Sequence, residues 1–329
     1  MKGLIISLLS IALILAAWLP AAAIDDNAGT AGYSFLKIGV GARPAGMGGA
    51  YVGLADDYSA LYYNPSGITG ARLAESWDEG GTPAPPVRAT YVAASYNSWI
   101  SDFQSGFLAL ITPLSERTRL GAAIQYMSYG DLISTDLNGN RLGTFTASDM
   151  AFGLTGAVRL STNFSMGATG RLILESVEDS TSWGLAADLG LTYAFPDNRT
   201  QLGAAVTNLG AQMEGLTESH KDELPVQLAV GASHKMRGLP LIVAGDVTKA
   251  SDDQIRFSLG TELVYFAPFF LRAGFSSRQS DIETGSDDDN FAGFTGGFGV
   301  AVNALRVDYA FGRLSELGTI HRVGLTARL

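Results

Sequence analysis

The sequence has no cysteine, only three histidines and, after its first twenty residues, no long uninterrupted apolar run. Without cysteine a disulfide scaffold is excluded, so the fold must depend on burial and hydrogen bonding. His220, His234 and His321 are not at metal-ligand spacing from one another. Because a membrane-spanning helix needs roughly 18 or more consecutive apolar residues, helical spans are also excluded beyond the N-terminus.

Basic residues are scarce, with 22 lysines and arginines against 32 aspartates and glutamates and a formal net charge of −10. Nucleic-acid binding depends on basic patches that neutralise phosphates, so the composition excludes a nucleic-acid partner. Neither a G-x-S-x-G motif nor another signature of a Ser/His/Asp arrangement occurs. The sequence therefore predicts a protein that is not an enzyme and that needs no cofactor.

Two acidic stretches partly resemble metal sites. Asp136-x-Asn138-x-Asn140 begins like a calcium-binding loop, but arginine and alanine follow where that loop needs its turn glycine and its bidentate glutamate. The run 287–289 consists of three aspartates, which a solvated loop commonly carries. We therefore predict no metal site and a solvated loop at each stretch.

The N-terminus has the pattern of a targeting segment. Lys2 precedes an apolar run from Leu4 to Leu19, and small residues lead to Ala23 before the acidic Asp25. This order predicts a secretory signal peptide over residues 1–23. An N-terminal membrane anchor is the alternative, and it is disfavoured because the run is slightly short for a spanning helix.

The remainder of the chain alternates with a period of two. In the segment 181–195, Trp183, Leu185, Leu189 and Leu191 lie on one face, while Asp188 and small residues lie on the other. Such faces are longer than an ordinary strand of ~5–6 residues and suit a tilted membrane strand of ~9–11. Fourteen candidate strands follow one another, at 88–100, 103–113, 117–130, 146–160, 162–178, 181–195, 198–210, 224–236, 239–249, 253–266, 268–279, 290–302, 304–313 and 319–329.

The predicted connections differ in length by parity. Turns after even-numbered strands are tight, whereas longer polar connections follow odd-numbered strands at 131–145, 211–223, 280–289 and 314–318. Outer-membrane barrels have short periplasmic turns and longer extracellular loops. We therefore predict an all-β protein, a fourteen-stranded antiparallel transmembrane β-barrel, in the outer membrane of a Gram-negative-type cell. A soluble exported β protein is the alternative, but it has no reason to sort its loops in this way.

The face opposite the apolar one is predicted to line the lumen, and it carries charges of both signs. These charges either pair internally, forming a wall against which a plug packs, or line a permeation path. Internal pairing is favoured because such pairs are commonly structural. The charged lumenal positions are Arg159, Arg171, Asp188, Asp246, Arg256, Glu262, Arg272, Arg306, Asp308 and Arg322.

Glycine is abundant, at 40 of 329 residues, and many glycines lie between residues 39 and 70. This stretch lacks the third glycine of G-x-G-x-x-G and the lysine of a P-loop, so a nucleotide site is not predicted. Small residues instead suit tight turns in a confined lumen. We predict that residues 24–87 form an N-terminal hatch and linker inside or under a barrel of residues 88–329.

Residues 37–70 resemble the N-terminal signature of the PorV/PorQ family, which belongs to the wider FadL-like outer-membrane transporters. Two later pieces match the same family, at 208–210 with 224–225, and at 305–310 with 316–323. The hatch residues that carry the resemblance are Arg43, Gly46, Met47, Gly48, Gly49, Asp56, Asp57, Asn64, Pro65 and Gly67.

The resemblance implies a fourteen-stranded barrel with a hatch, and it implies two alternative functions. A PorV-type relative would serve type IX secretion by binding secreted cargo domains or other secretion components. A FadL-like relative would take up hydrophobic small molecules, such as long-chain fatty acids, from an apolar pocket beside the hatch. The residues expected to contact such a ligand are Met47, Tyr51, Leu54, Tyr62 and Tyr63. In either case the barrel wall contacts outer-membrane lipid.

Overall fold

The computed structural model describes residues 29–70, 89–99, 102–217, 220–266, 268–280, 291–314 and 318–329. The predicted signal peptide, the segment 71–88 and the aspartate run 287–289 lie outside the described residues.

The chain forms a closed antiparallel barrel in which β1 pairs with β14 and every other strand pairs with its neighbours in sequence. The predicted number of strands is confirmed. The strands are β1 (Tyr91–Ser98), β2 (Gln104–Pro113), β3 (Thr118–Thr135), β4 (Arg141–Arg159), β5 (Phe164–Val177), β6 (Ser180–Ala194), β7 (Thr200–Glu214), β8 (Gln227–Lys235), β9 (Leu241–Ala250), β10 (Ile255–Phe266), β11 (Phe269–Ser276), β12 (Phe294–Val302), β13 (Leu305–Arg313) and β14 (Thr319–Arg328).

The period of two in the sequence becomes the two faces of the barrel wall. In β6, Leu185, Leu189 and Leu191 point outward and are exposed, whereas Ser182 and Asp188 point inward and are buried. An apolar outer face is stable against lipid, and closure leaves no strand edge with unsatisfied backbone groups. Among the residues that the structure describes, no helix is long and apolar enough to cross a bilayer.

The predicted connection 131–145 is wrong, because β3 continues to Thr135 and β4 already begins at Arg141. The two strands stay paired along this hairpin, after an irregularity in register between Ser128 and Asp131. Strands of 18 and 19 residues outrun the ~9–11 needed to span, so the end of this hairpin lies in water, and it carries exposed apolar residues as well as polar ones. The predicted connection 211–223 is likewise shorter, since β7 extends to Glu214.

The hairpin tip uses Asp136 as a turn residue. Its carboxylate accepts the backbone N–H groups of Asn138 and Asn140 at 2.9 and 2.8 Å and the side-chain amide of Asn140 at 2.8 Å. These bonds stabilise a tight exposed turn. No group of three or more histidine, aspartate or glutamate side chains suited to a metal ion occurs within the described ranges.

The barrel has a short-turn end and a long-loop end. The connections after even-numbered strands are all short, at 114–117, 160–163, 195–199, 236–240, 267–268 and 303–304, while those after odd-numbered strands are 99–103, 136–140, 178–179, 215–226, 251–254, 277–293 and 314–318 and include the two long ones. Short turns are periplasmic in outer-membrane barrels and longer loops are extracellular, which orients the molecule.

Residues 29–70, here called the lumenal segment, lie inside the barrel. The segment contains two short helices, α1 (Ala42–Gly46) and α2 (Ala60–Tyr63), and two 3₁₀ turns at Ser34–Lys37 and Pro65–Gly70. Side chains of the lumenal segment contact strands on different sides of the wall: Leu61 approaches Gly121 of β3, and Met47 approaches Gly260 of β10. Outside the segment, a third short helix, α3 (Ser277–Ser280), follows β11.

The lumenal segment runs along the barrel from the extracellular to the periplasmic end. Near its start, Lys37 pairs with Asp252 in the connection between β9 and β10. At its end, Thr69 donates a hydrogen bond of 3.1 Å to Ser165, the second residue of β5. The segment therefore contacts the wall along most of its height.

Candidate functional site in the barrel lumen

Arg43 of α1 anchors the lumenal segment to β10. Its Nε and Nη2 donate to the two carboxylate oxygens of Glu262 at 2.9 and 2.8 Å, a bidentate pair. Its Nη1 donates to the Tyr51 hydroxyl at 2.7 Å and also contacts the carboxylates of Asp56 and Asp57. Arg43 is only 2% exposed, so these contacts act in a medium where an unpaired charge would be very unfavourable.

The same glutamate connects the segment to two further strands. Arg272 of β11 donates to Glu262 at 2.5 Å and lies 2.8 Å from the Asp308 carboxylate of β13. Arg306 donates to Asp308 at 2.9 Å, and its guanidinium lies over the ring of Phe270. We call this buried set the lumenal charge cluster: Arg43, Asp56, Asp57, Glu262, Arg272, Arg306 and Asp308.

Asp246 of β9 holds the next part of the lumenal segment through backbone groups alone. Its Oδ2 accepts the N–H groups of Tyr51 and Val52 at 2.5 and 2.7 Å, and its Oδ1 accepts that of Gly53 at 3.5 Å. Three successive N–H groups thus converge on one buried carboxylate, an arrangement that favours a negative charge.

Asn64 fixes the turn that follows α2. Its amide donates to the carbonyl of Val52 at 3.1 Å and to the carbonyl of Leu191 in β6 at 3.0 Å. Its side-chain oxygen accepts the hydroxyl of Ser66 at 2.7 Å. Because Asn64 is fully buried, each of its polar groups needs such a partner.

Glycines in the wall let this turn approach closely. A Cβ at Gly190 of β6 would lie 2.2 Å from the Asn64 side-chain oxygen, and one at Gly167 of β5 would lie 2.5 Å from the Pro65 carbonyl carbon. Within the segment, Gly48 has φ +66° and would bring a Cβ within 2.4 Å of the Phe275 carbonyl oxygen. These positions explain why small residues are needed on both sides of the contact.

A second ion pair lies within the wall. Arg171 of β5 contacts Asp188 of β6 at 2.5 Å, and Asp188 accepts the N–H of Asn208 at 2.8 Å. Asn208 has φ +62° beside a register irregularity, and its amide donates to the Pro225 carbonyl at 3.1 Å. The sequence pattern placed the ion pair on the lumenal face, but the role of Asn208 depends on a bulge that periodicity does not reveal.

The remaining predicted lumenal charges lie apart from the lumenal charge cluster. Arg159 donates to the Thr69 carbonyl at 3.0 Å near the periplasmic end. Arg256 pairs with Asp253 at 2.6 Å, at the extracellular end of β10. Arg322 of β14 donates to the carbonyl of Gly39 at 2.7 Å.

A cavity of about 300 Å³ lies between the lumenal segment and the extracellular half of the wall. Tyr62 and Tyr63, two of the residues expected to contact an apolar ligand, line it together with Trp99 and Arg322. Burial in the lumen raises the pKa of both tyrosines above the ordinary phenol value, so the two hydroxyls stay neutral.

The structure places the other three predicted ligand contacts away from this cavity. Met47 packs against Gly260 and Gly274, Tyr51 is engaged by Arg43, and Leu54 is buried in the core. Apolar composition alone does not distinguish a side chain that packs against the wall from one that faces a void.

Trp99 was missed by sequence reasoning. The Arg322 guanidinium lies 5.8 Å from the centre of its ring. The two residues are more than 200 positions apart and become neighbours only because β1 closes the barrel against β14, so no local pattern could have indicated the contact.

Solved structures with a similar fold include two toluene transporters and a FadL homologue. The toluene transporter TodX of Pseudomonas putida is 15% identical, with a TM-score of 0.59 over 88% of this chain and 96% of that one. The toluene transporter TbuX of Ralstonia pickettii is 16% identical, with a TM-score of 0.58 over 88% and 97%. A FadL homologue of Pseudomonas aeruginosa is 12% identical, with a TM-score of 0.53 over 86% and 97%. At these identities the likeness establishes the outer-membrane barrel fold.

No curated protein sequence matches the chain significantly. The family described as type IX secretion system protein PorV matches residues 21–237. This match includes the lumenal segment with Arg43 and Asn64, and it continues through the strands as far as β8. Since it covers more than half of the sequence, the chain belongs to the PorV family of outer-membrane β-barrel proteins.

Proposed function

We propose that this protein serves type IX secretion as a non-enzymatic barrel that binds secreted cargo domains, or another secretion component, at its extracellular end. The family match over residues 21–237 supports the secretion link. The observation that carries the binding role is the lumenal segment, which is fixed to the wall by buried charges.

A fixed lumenal segment suits a binding protein better than a conduit for large molecules. Displacing it would expose Arg43 and Glu262, which now pair at 2.8 Å, and would remove the backbone donors from Asp246. Breaking one buried pair of this kind typically costs about 3–5 kcal/mol. Binding at the rim requires none of these contacts to break.

The hairpin of β3 and β4 is the most prominent extracellular surface in the described part of the chain. It carries exposed apolar side chains at Ile133, Leu137 and Leu142, of which Leu137 is fully exposed. Exposed apolar groups beyond the membrane commonly mark protein contacts. We propose that this hairpin contributes to the partner surface.

The experiment compares secretion of signal-domain cargo in cells that lack the protein, cells that carry it, and cells that carry Leu137→Ser with Leu142→Ser. The proposal expects cargo in the medium and cargo co-purifying with the unchanged protein, with both reduced in the hairpin variant. Leu239→Ser is the matched control, because Leu239 is also exposed but lies in the periplasmic turn 236–240. Normal secretion without the protein, together with no co-purification, would contradict the proposal.

Uptake of hydrophobic small molecules is a second candidate, and the cavity beside Tyr62 and Tyr63 favours it. It predicts that cells accumulate a small apolar compound faster with the protein than without it. Tyr63→Trp, which fills part of the cavity, should slow accumulation, whereas Tyr309→Trp on the lipid side should not. Equal accumulation in all strains would exclude this function.

We further propose that residues 1–23 form a cleaved signal peptide and that residues 24–87 act as hatch and linker. The mass and N-terminal sequence of the protein extracted from outer membranes test the first proposal. A mature chain that begins near Ile24 is expected, and a retained Met1 would contradict it.

A further inference from the structure

Arg322 differs from the other cations that line the 300 Å³ cavity. Lys37 pairs with Asp252 at 2.5 Å, and Arg278 and Arg256 pair with Asp253 at 3.1 and 2.6 Å. Within the described part of the chain, Arg322 forms no ion pair; it donates to the Gly39 carbonyl and lies against Trp99.

The neighbours of Arg322 do not supply the missing negative charge. Tyr62 and Tyr63 lie beside it in the cavity wall, and because burial raises the pKa of each, both stay neutral. The Tyr62 hydroxyl is already committed, since it donates to the Leu36 carbonyl at 2.8 Å. A neutral carbonyl and aromatic faces compensate a guanidinium less well than a carboxylate does.

Arg322 is only 8% exposed, yet its side chain borders the void rather than packed protein on all sides. A guanidinium carries five N–H donors in a planar fork that matches a carboxylate. Apolar and aromatic side chains, including Ile38, Trp99 and Ile320, form part of the cavity wall beside it. An anion placed there would meet a desolvated charge, and its apolar body would meet apolar walls.

We propose that this cavity binds a small amphipathic carboxylate, whose acid group pairs with Arg322 and whose aromatic or short aliphatic body packs against Tyr63 and Trp99. The volume suits a compact ligand, because pockets for drug-sized molecules start at about 300 Å³. This site goes beyond the proposed secretion role, and it deepens the uptake candidate because it names the class of ligand that the same cavity would bind.

The test uses the full-length protein in a non-ionic detergent, with 4-ethylbenzoate as the probe and the neutral 4-ethylbenzamide as its matched partner. Calorimetry should show the acid binding about tenfold or more tightly than the amide, because the amide leaves the buried charge unpaired. Added salt should weaken the binding of the acid and leave the binding of the amide unchanged. An acid that does not bind, or that binds no better than the amide, would overturn the proposal.

Arg322→Gln should lose the preference for the acid, while Arg322→Lys should keep part of it. Arg328→Gln is the matched control, because Arg328 lies on the same strand but is exposed, and it should behave like the unchanged protein.

Heat-modifiable gel mobility reports whether each barrel has assembled. If Arg322→Gln does not assemble, the salt dependence and Arg322→Lys decide the matter. A full acid preference in Arg322→Gln would refute the assignment. Because calorimetry does not involve cargo, this result is independent of the secretion experiment.

Discussion

The Asp246 carboxylate accepts the backbone N–H of Tyr51 at 2.5 Å and that of Val52 at 2.7 Å, which joins β9 directly to the lumenal segment. The contact does not depend on the side chains of Tyr51 and Val52. It therefore constrains the path of the segment whatever residues occupy positions 51 and 52.

Asp246→Ala should loosen the lumenal segment. It leaves three buried N–H groups without their acceptor, which we expect to destabilise the segment by about 2–4 kcal/mol. Limited proteolysis of the detergent-solubilised barrel measures this, since cleavage between residues 29 and 70 should become faster. Asp131→Asn, at an exposed position of β3, is the control and should leave proteolysis unchanged. Equal protection of the segment in Asp246→Ala would show that this contact is not what fixes it.

The bidentate pair of Arg43 and Glu262 can be tested by a double-mutant cycle. Arg43→Met alone leaves a buried carboxylate without a main partner, and we expect a loss of about 3–5 kcal/mol in the free energy of unfolding. Glu262→Leu alone should be similarly unfavourable, because Arg43 and Arg272 both lose an acceptor. The double variant should lose less than the sum of the two single losses, because both singles remove the same pair, as measured by urea unfolding in lipid. Additive losses would show that the two charges act independently.

The turn at Asn64 and Pro65 should tolerate no side chain at Gly190. Gly190→Val would place atoms where the Asn64 oxygen now lies, so the segment must shift or the barrel must fail to close. We expect a lower denaturation temperature on heat-modifiable gels. Gly156→Val is the control, since a Cβ at Gly156 meets no atom within 4 Å. A normal transition in Gly190→Val would mean that the turn packs elsewhere.

A charge on the outward face of the barrel should lower the free energy of unfolding more near the middle of the membrane than near its surface. Leu189→Arg, near the middle of the strand, should destabilise the barrel by about 2–4 kcal/mol because the arginine meets hydrocarbon. Leu202→Arg, near the periplasmic end of β7, should lose about 1 kcal/mol or less because its charge reaches the interface. Unfolding in lipid vesicles measures both values, and equal losses would contradict the depths assigned to the two residues in the membrane.

Much of the barrel could be predicted from the sequence because its wall follows a local rule. The alternation between outward Leu185 and Leu189 and inward Asp188 is visible within a few residues, and the bilayer favours the same alternation on every strand. The extent of β3 and β4 was not predicted, because beyond the membrane the regular alternation of apolar and polar residues is lost. There, pairing with the neighbouring strand and the turn at Asp136 decide the structure.

The sequence by itself determined the number of strands, the lipid-facing side chains and the membrane that the protein occupies, since each follows from short-range periodicity and composition. Only the tertiary structure decided which charges meet. Arg43 joins Glu262 across 219 positions, and Arg322 is left beside the cavity with Trp99 and two neutral tyrosines. The physical reason is barrel closure together with the path of the lumenal segment, because both bring distant residues together without leaving a local pattern.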